Sequence, residues 1–177
     1  MAKIQFGETN EEVVTREEFP LEQAKSVLSN DTIAILGYGV QGPAQALNLR
    51  DNGFNVIVGQ RKGTPSWEKA KADGWVEGST LFSVEEAAQR GTFVAYLLSD
   101  AGQMMSWEKV AEQLKPGTTL CFSHGFAVTF SDQTGVSPSK DLDVVLVAPK
   151  GSGRSVRMLF QEGKGINASF AINQDAT

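Results

Sequence analysis

From residue 32 onward, short apolar runs alternate with longer stretches of helical spacing. Thr32–Leu36 is apolar and β-branched and meets a glycine turn. Gln41–Asp51 follows with Ala44, Ala46, Leu47 and Leu49 spaced to cover one side of a helix, and Asn52-Gly53 supplies a residue that tolerates positive φ to close it. Phe54–Val58 predicts a second strand. Helices are predicted over Ser66–Ala72, Ser83–Arg90 and Met104–Leu114, the middle one with Ser83 as N-cap and Glu86 in the capping-box position. Thr92–Leu98, Thr118–Ser123, Val144–Val147 and Ala168–Ile172 are further strands, with a turn at Pro116-Gly117 and a short helix over Ser155–Gln161. Residues 1–30 are mixed and polar, with one helix expected over Leu21–Leu28. Strands alternating with helices imply βαβ units and a mostly parallel sheet covered on both faces. The expected fold is α/β, a doubly wound sheet of the Rossmann type. The chain reads as a single domain over 1–177, with residues 1–30 an N-terminal extension packed on it.

Composition narrows the function classes. The chain has 177 residues, 41% hydrophobic and 21% charged, which suits one domain with a full core rather than a disordered chain. A net charge of −5 gives no general attraction for nucleic acid or anionic lipid, so any bound anion must be held by local geometry. Cys121 is the single cysteine, which leaves no intramolecular disulfide, and its setting in Thr118–Ser123 reads as a buried strand. No apolar stretch approaches the ~20 residues of a membrane span, and the N-terminus lacks the pattern of a secretory signal. A cytoplasmic location is the default expectation.

The candidate chemistry starts at Gly37-Tyr38-Gly39-Val40-Gln41-Gly42, which fits G-x-G-x-x-G between a predicted strand and a predicted helix. Gly37 permits the tight turn, Gly39 lets a pyrophosphate approach the backbone, and Gly42 lets the helix pack on the strand. The helix start then offers free N–H groups to the phosphates. An NAD site usually carries Asp or Glu at the end of the second strand to hold the ribose 2′-hydroxyl. Here that stretch has no carboxylate; it holds Arg61, Lys62, Thr64 and Ser66. A guanidinium and two hydroxyls in a short loop suit a 2′-phosphate, so NADP(H) is the expected cofactor. The plainer alternatives are a glycine turn that binds nothing and a solvated basic loop.

At this point the sequence resembles the ketol-acid reductoisomerases, also termed acetohydroxy acid isomeroreductases. Gly37 to Asp51 is similar to that family's opening nucleotide-binding segment, with Pro43 where the family commonly has histidine. Leu98–Gln103 resembles its Asp-x-x-Gln segment, Phe122–Phe126 its Ser-His-Gly-Phe motif, and Val147–Gly153 its Ala-Pro-Lys-Gly-x-Gly loop. The resemblance implies that Tyr38, Gly39, Val40 and Gln41 contact the pyrophosphate, and that Arg61, Thr64 and Ser66 contact the 2′-phosphate. It further implies that Asp100, Ala101, Gly102 and Gln103 lie along the nicotinamide side, with Gly153 closing the site and His124 catalytic. Asp100 has a second reading, as cap of the helix near Met104. Lys150 could face the crevice or stand in a solvated loop.

The family reaction joins a magnesium-assisted alkyl migration in an acetohydroxy acid to reduction by NADPH. Magnesium prefers carboxylate oxygens in octahedral geometry. The family places these in a helical C-terminal domain, and no Asp-x-x-x-Glu constellation in a helical setting follows residue 143 here. The expectation is therefore an NADP(H)-binding domain without its own metal site, inactive alone and a possible partner of a C-terminal domain. The competing reading is a non-catalytic NADP-sensing or interaction module that keeps the cofactor loop.

Overall fold

A hairpin opens the chain in the computed structural model, which describes residues 2–177. β1 (Ala2–Phe6) pairs antiparallel with β2 (Thr9–Val13), Phe6 opposite Thr9, so that Gly7 and Glu8 form the turn with Gly7 at φ 61°. α1 (Leu21–Val27) follows and matches the expected helix. The hairpin was not expected: its side chains are mostly exposed on both faces, so no alternation of apolar and polar positions marks it. Contacts along the chain group Met1–Asn30 as one unit and Asp31–Thr177 as another.

The second unit is the α/β sheet. Its elements are β3 (Ile33–Leu36), α2 (Gly42–Asp51), β4 (Val56–Gly59), α3 (Pro65–Ala72), β5 (Leu81–Phe82), α4 (Val84–Arg90) and β6 (Phe93–Tyr96). Then come α5 (Asp100–Ala111), β7 (Thr119–Phe122), α6 (Phe126–Thr129), α7 (Ser131–Thr134), β8 (Asp143–Pro149), α8 (Gly153–Gln161) and β9 (Ala168–Gln174). The strand order is β5-β4-β3-β6-β7-β8-β9, with only β9 antiparallel to its neighbour. The chain moves outward from β3 through β4 to β5, then returns to lay β6 on the other side of β3. That reversal opens a crevice beyond the C-terminal ends of β3 and β6, where ligands of open α/β sheets gather.

The central strands are buried on both faces, which explains their continuous apolar runs. Beneath the crevice Tyr96 packs against Trp107 and, edge to face, against Phe122, with ring centroids 5.9 and 6.0 Å apart. Gly53, at φ 87°, closes α2 as expected, and Ser83 and Glu86 form the full capping box on α4. Cys121 is a buried core thiol, which burial pushes up to about 11.

Several boundaries differ from the sequence reading, and each shift has a local cause. α5 begins at Asp100, four residues before the expected Met104, because Ser99 caps it through the Gly102 N–H. Asp100 is thus inside the helix and is not its cap. Two-residue β5 is too short to show a period, and the four-residue α6 and α7 are single turns. No helix among the described residues is long and apolar enough to cross a membrane.

Candidate dinucleotide site

Three loops meet at the crevice: the turn after β3, the loop after β6 and the loop after β7. The first is held by backbone contacts that require glycine. Gly37 has φ 103°, and a Cβ there would stand 2.9 Å from the Leu98 nitrogen. A Cβ on Gly42 would come within 2.0 Å of the Gly37 carbonyl oxygen, so the start of α2 lies directly against the turn. Around Gly39, by contrast, the space is open. No side chain caps α2, and the N–H groups of Gly39, Val40 and Gln41 find no acceptor among the described residues. An uncapped ten-residue helix with free N–H groups facing open space suits a diphosphate.

The turn residues do different things. Val40 is exposed. Gln41 donates through Nε2 to the Gly151 carbonyl at 3.0 Å, tying the turn to the loop before α8. Gly153 begins α8, and a Cβ there would strike the Val40 carbonyl at 1.8 Å. Tyr38 stands apart from its neighbours. Its side chain is 1% exposed and turns into the protein, where its hydroxyl donates to Asp73 Oδ2 and accepts from Trp75 Nε1. Its N–H donates to Gln60 Oε1 at 3.1 Å. Tyr38 therefore has no free donor for a phosphate; it fixes the shape of the turn.

On one side of the turn, the loop after β4 carries Arg61, exposed, and Ser66, in the first turn of α3. Lys62 is paired with Glu77. Thr64 is the N-cap of α3 and accepts from the Trp67 N–H. Its one hydroxyl hydrogen goes to the Arg61 carbonyl at 2.7 Å, so this expected phosphate ligand has no donor left. Threonine directly before Pro65 fits the N-cap pattern, but that pattern alone does not say where the hydroxyl hydrogen goes.

On the opposite side, a cleft of about 270 Å³ is lined by residues including Leu98, Ser99, Gln103, Ser123 and His124. Gln103 is 3% exposed, and its Nε2 donates to the carbonyls of Tyr96 and Leu98 at 3.0 and 3.1 Å. Two carbonyl partners fix the orientation of the amide, and Oε1 is left buried without a partner. His124 Nε2 stands 3.2 Å from Asp100 Oδ1, both side chains about half exposed, joining the start of α5 to the loop after β7. Ala101 and Gly102 form the first turn of α5, and Lys150 is exposed in its loop. Among the described residues no three His, Cys, Asp or Glu side chains converge as metal ligands would.

Sequence reasoning passed over Gln60 and Gln45. Gln45 donates to Ser123 Oγ at 3.1 Å and so ties α2 to the end of β7. Nothing in the helical pattern marks it. Gln60 could have been found, since it follows the second strand at the place reserved for an acidic residue.

Residues 27–177 match the family model described as acetohydroxy acid isomeroreductase, NADPH-binding domain. The chain is 60% identical over its whole length to a ketol-acid reductoisomerase (NAD(+)) of Desulfosudis oleivorans, covering 50% of that protein. It is 54% identical to the mitochondrial ketol-acid reductoisomerase of Saccharomyces cerevisiae, covering all of this chain and 45% of the relative. The chain thus spans about half the length of the curated relatives it matches. Among solved structures, an NADH-preferring ketol-acid reductoisomerase from an uncultured archean superposes with a TM-score of 0.77 at 41% identity. The match covers 86% of this chain and 46% of that one.

Proposed function

Since the chain belongs to the acetohydroxy acid isomeroreductase family through its nucleotide-binding domain, we propose that it binds NADP(H) across the C-terminal edge of its sheet. The N–H groups from Gly39 to Gly42 at the start of α2 take the pyrophosphate. Arg61 and Ser66 take the 2′-phosphate, and the nicotinamide enters the cleft beside Ser99, Gln103, Ser123 and His124. The observation that carries this reading is the uncapped start of α2, where the Gly39, Val40 and Gln41 N–H groups find no acceptor among the described residues. Backbone donors left open at a helix start suit an anion such as a diphosphate.

When bound, the cofactor supplies a hydride. The protein's part is to orient the ring, narrow the cleft against water, and hold the His124 imidazole at its mouth beside Asp100. In a whole enzyme this fits the reductive half of converting acetohydroxy acids to 2,3-dihydroxy acids, a step of branched-chain amino-acid synthesis. Alkyl migration needs a divalent cation on clustered carboxylates, and the described residues gather no such donor set. We accordingly propose that this chain alone does not isomerise 2-acetolactate. Turnover by the purified chain with Mg²⁺ and NADPH would refute that.

Use of NADH is the second reading, favoured by the internally committed Thr64 hydroxyl, by the Lys62–Glu77 pair, and by two relatives named for NAD(+) or NADH. Calorimetric titration with NADPH and NADH separates the two. Tighter NADPH binding that is lost in Arg61→Ala supports the phosphate site; equal affinity for both cofactors removes it. Failure to bind either dinucleotide sinks the whole reading.

A further inference from the structure

Gln60 follows directly after β4, where an NAD-type site carries the carboxylate that holds the ribose 2′-hydroxyl. Its side chain is partly buried, and both ends of the amide are used. Oε1 accepts the Tyr38 N–H of the glycine turn at 3.1 Å, and Nε2 donates to Thr64 Oγ1 at 3.2 Å. Its own N–H donates to the Phe82 carbonyl at 3.0 Å, which anchors the residue to β5. These polarities are forced. The Tyr38 N–H can only donate, so it needs the amide oxygen. The Thr64 oxygen has given its hydrogen to Arg61 and can only accept, so it needs the amide nitrogen. A carboxylate at this place could satisfy the first contact and not the second.

We propose that Gln60 sets how this chain treats the ribose 2′ position. It is a specificity-determining and positioning residue that links the pyrophosphate turn to the loop carrying Arg61 and Ser66. As a neutral amide it fills the acidic position without repelling a 2′-phosphate. By fixing Thr64 Oγ1 it holds the Thr64 cap turned inward and leaves Arg61 and Ser66 as the groups that meet the ribose. The inference rests on the dinucleotide reading above and goes beyond it to selectivity at the ribose.

The test compares the parent chain with Gln60→Glu and Gln60→Leu. Dissociation constants for NADPH and NADH are measured by calorimetry at two salt concentrations, alongside the melting temperature. Gln60→Glu is nearly isosteric and adds one negative charge beside the ribose. It should weaken NADPH at least tenfold, or about 1.4 kcal/mol, while NADH stays within about threefold. The shift in the ratio should shrink at high salt, because a charge effect at a solvent-open site is screened. Gln60→Leu removes both amide contacts without adding charge, so both affinities should fall together and the ratio should stay within about twofold. The proposal is overturned if Gln60→Glu leaves the NADPH/NADH ratio unchanged, or if Gln60→Leu shifts it as far as Gln60→Glu does. If the parent chain binds neither cofactor, the dinucleotide reading itself has failed, which is a distinguishable result.

Discussion

Replacing Tyr38 by Phe removes one oxygen atom from the wall of the glycine turn, and the structure gives the consequence a size. The hydroxyl donates to Asp73 Oδ2 at 2.9 Å and accepts from Trp75 Nε1 at 2.8 Å. Trp75 is 3% exposed and its indole N–H has only this acceptor, so the buried donor is left unsatisfied. A buried donor stranded in this way costs about 1–3 kcal/mol, and loss of the bond to a carboxylate that can turn to solvent adds about 1 kcal/mol. The sum is about 2–4 kcal/mol. For a chain of this length each kcal/mol lowers the melting temperature by about 2–4 °C, which predicts a fall of roughly 5–15 °C. Urea unfolding followed by tryptophan fluorescence, with scanning calorimetry as a check on two-state behaviour, measures it. Trp75→Phe made in the Tyr38→Phe background should cost less than in the parent, because the indole donor has already lost its acceptor. A fall under about 2 °C with unchanged m, or strictly additive effects, would show that the hydroxyl does not bridge these groups.

Burial raises the phenols of both tyrosines, Tyr96 to about 12 and Tyr38 further. A folded-state value above the unfolded value of about 10 means that stability is intact below pH 10 and drains as pH rises beyond it, by up to about 1.4 kcal/mol per tyrosine per pH unit. Absorbance at 295 nm should therefore show no tyrosinate in the native protein at pH 10.5, and ionisation near pH 10 with native circular dichroism would contradict the packing. Ser83→Ala breaks the capping box of α4 and should cost about 1 kcal/mol in urea titration; no loss would mean that the cap is idle. Asp100→Asn should leave the melting temperature within about 2 °C, since its pair with His124 is half exposed and such pairs contribute little. A larger drop would mean that the pair holds the two loops together.

Legibility in the sequence followed burial. The fingerprint glycines, the buried strands and the capping box could be read because each imposes a residue type on its position. Gly37 and Gly42 tolerate no Cβ, and the strand from Ile33 to Leu36 must be apolar on both faces. The hairpin of β1 and β2 imposes nothing comparable on its exposed side chains, and it left no pattern. Site residues divided along a similar line. Their positions at strand ends could be read from motif order, but the direction of each side chain could not. Tyr38 and Thr64 lie within the expected segments, yet both spend their hydroxyls inside the protein. A motif records which residue stands at a place, whereas donor direction depends on partners far along the chain, such as Asp73 for Tyr38.

A second set of ties around the site has a common chemistry. Four glutamines stitch the site together: Gln60 joins the turn to the loop after β4, and Gln41 joins it to the loop before α8. Gln45 joins α2 to the end of β7, and Gln103 braces α5 on the carbonyls at the end of β6. A primary amide offers both donors and an acceptor at the end of a flexible stem without charge. Glutamate in these places would repel a diphosphate, and an amide does not. On the reading proposed above, these neutral ties leave the anion to the backbone at the start of α2, with Arg61 on one side of it and the His124–Asp100 pair on the other. Arg61 and His124 can then be substituted separately, because neither side chain takes part in holding the turn between them.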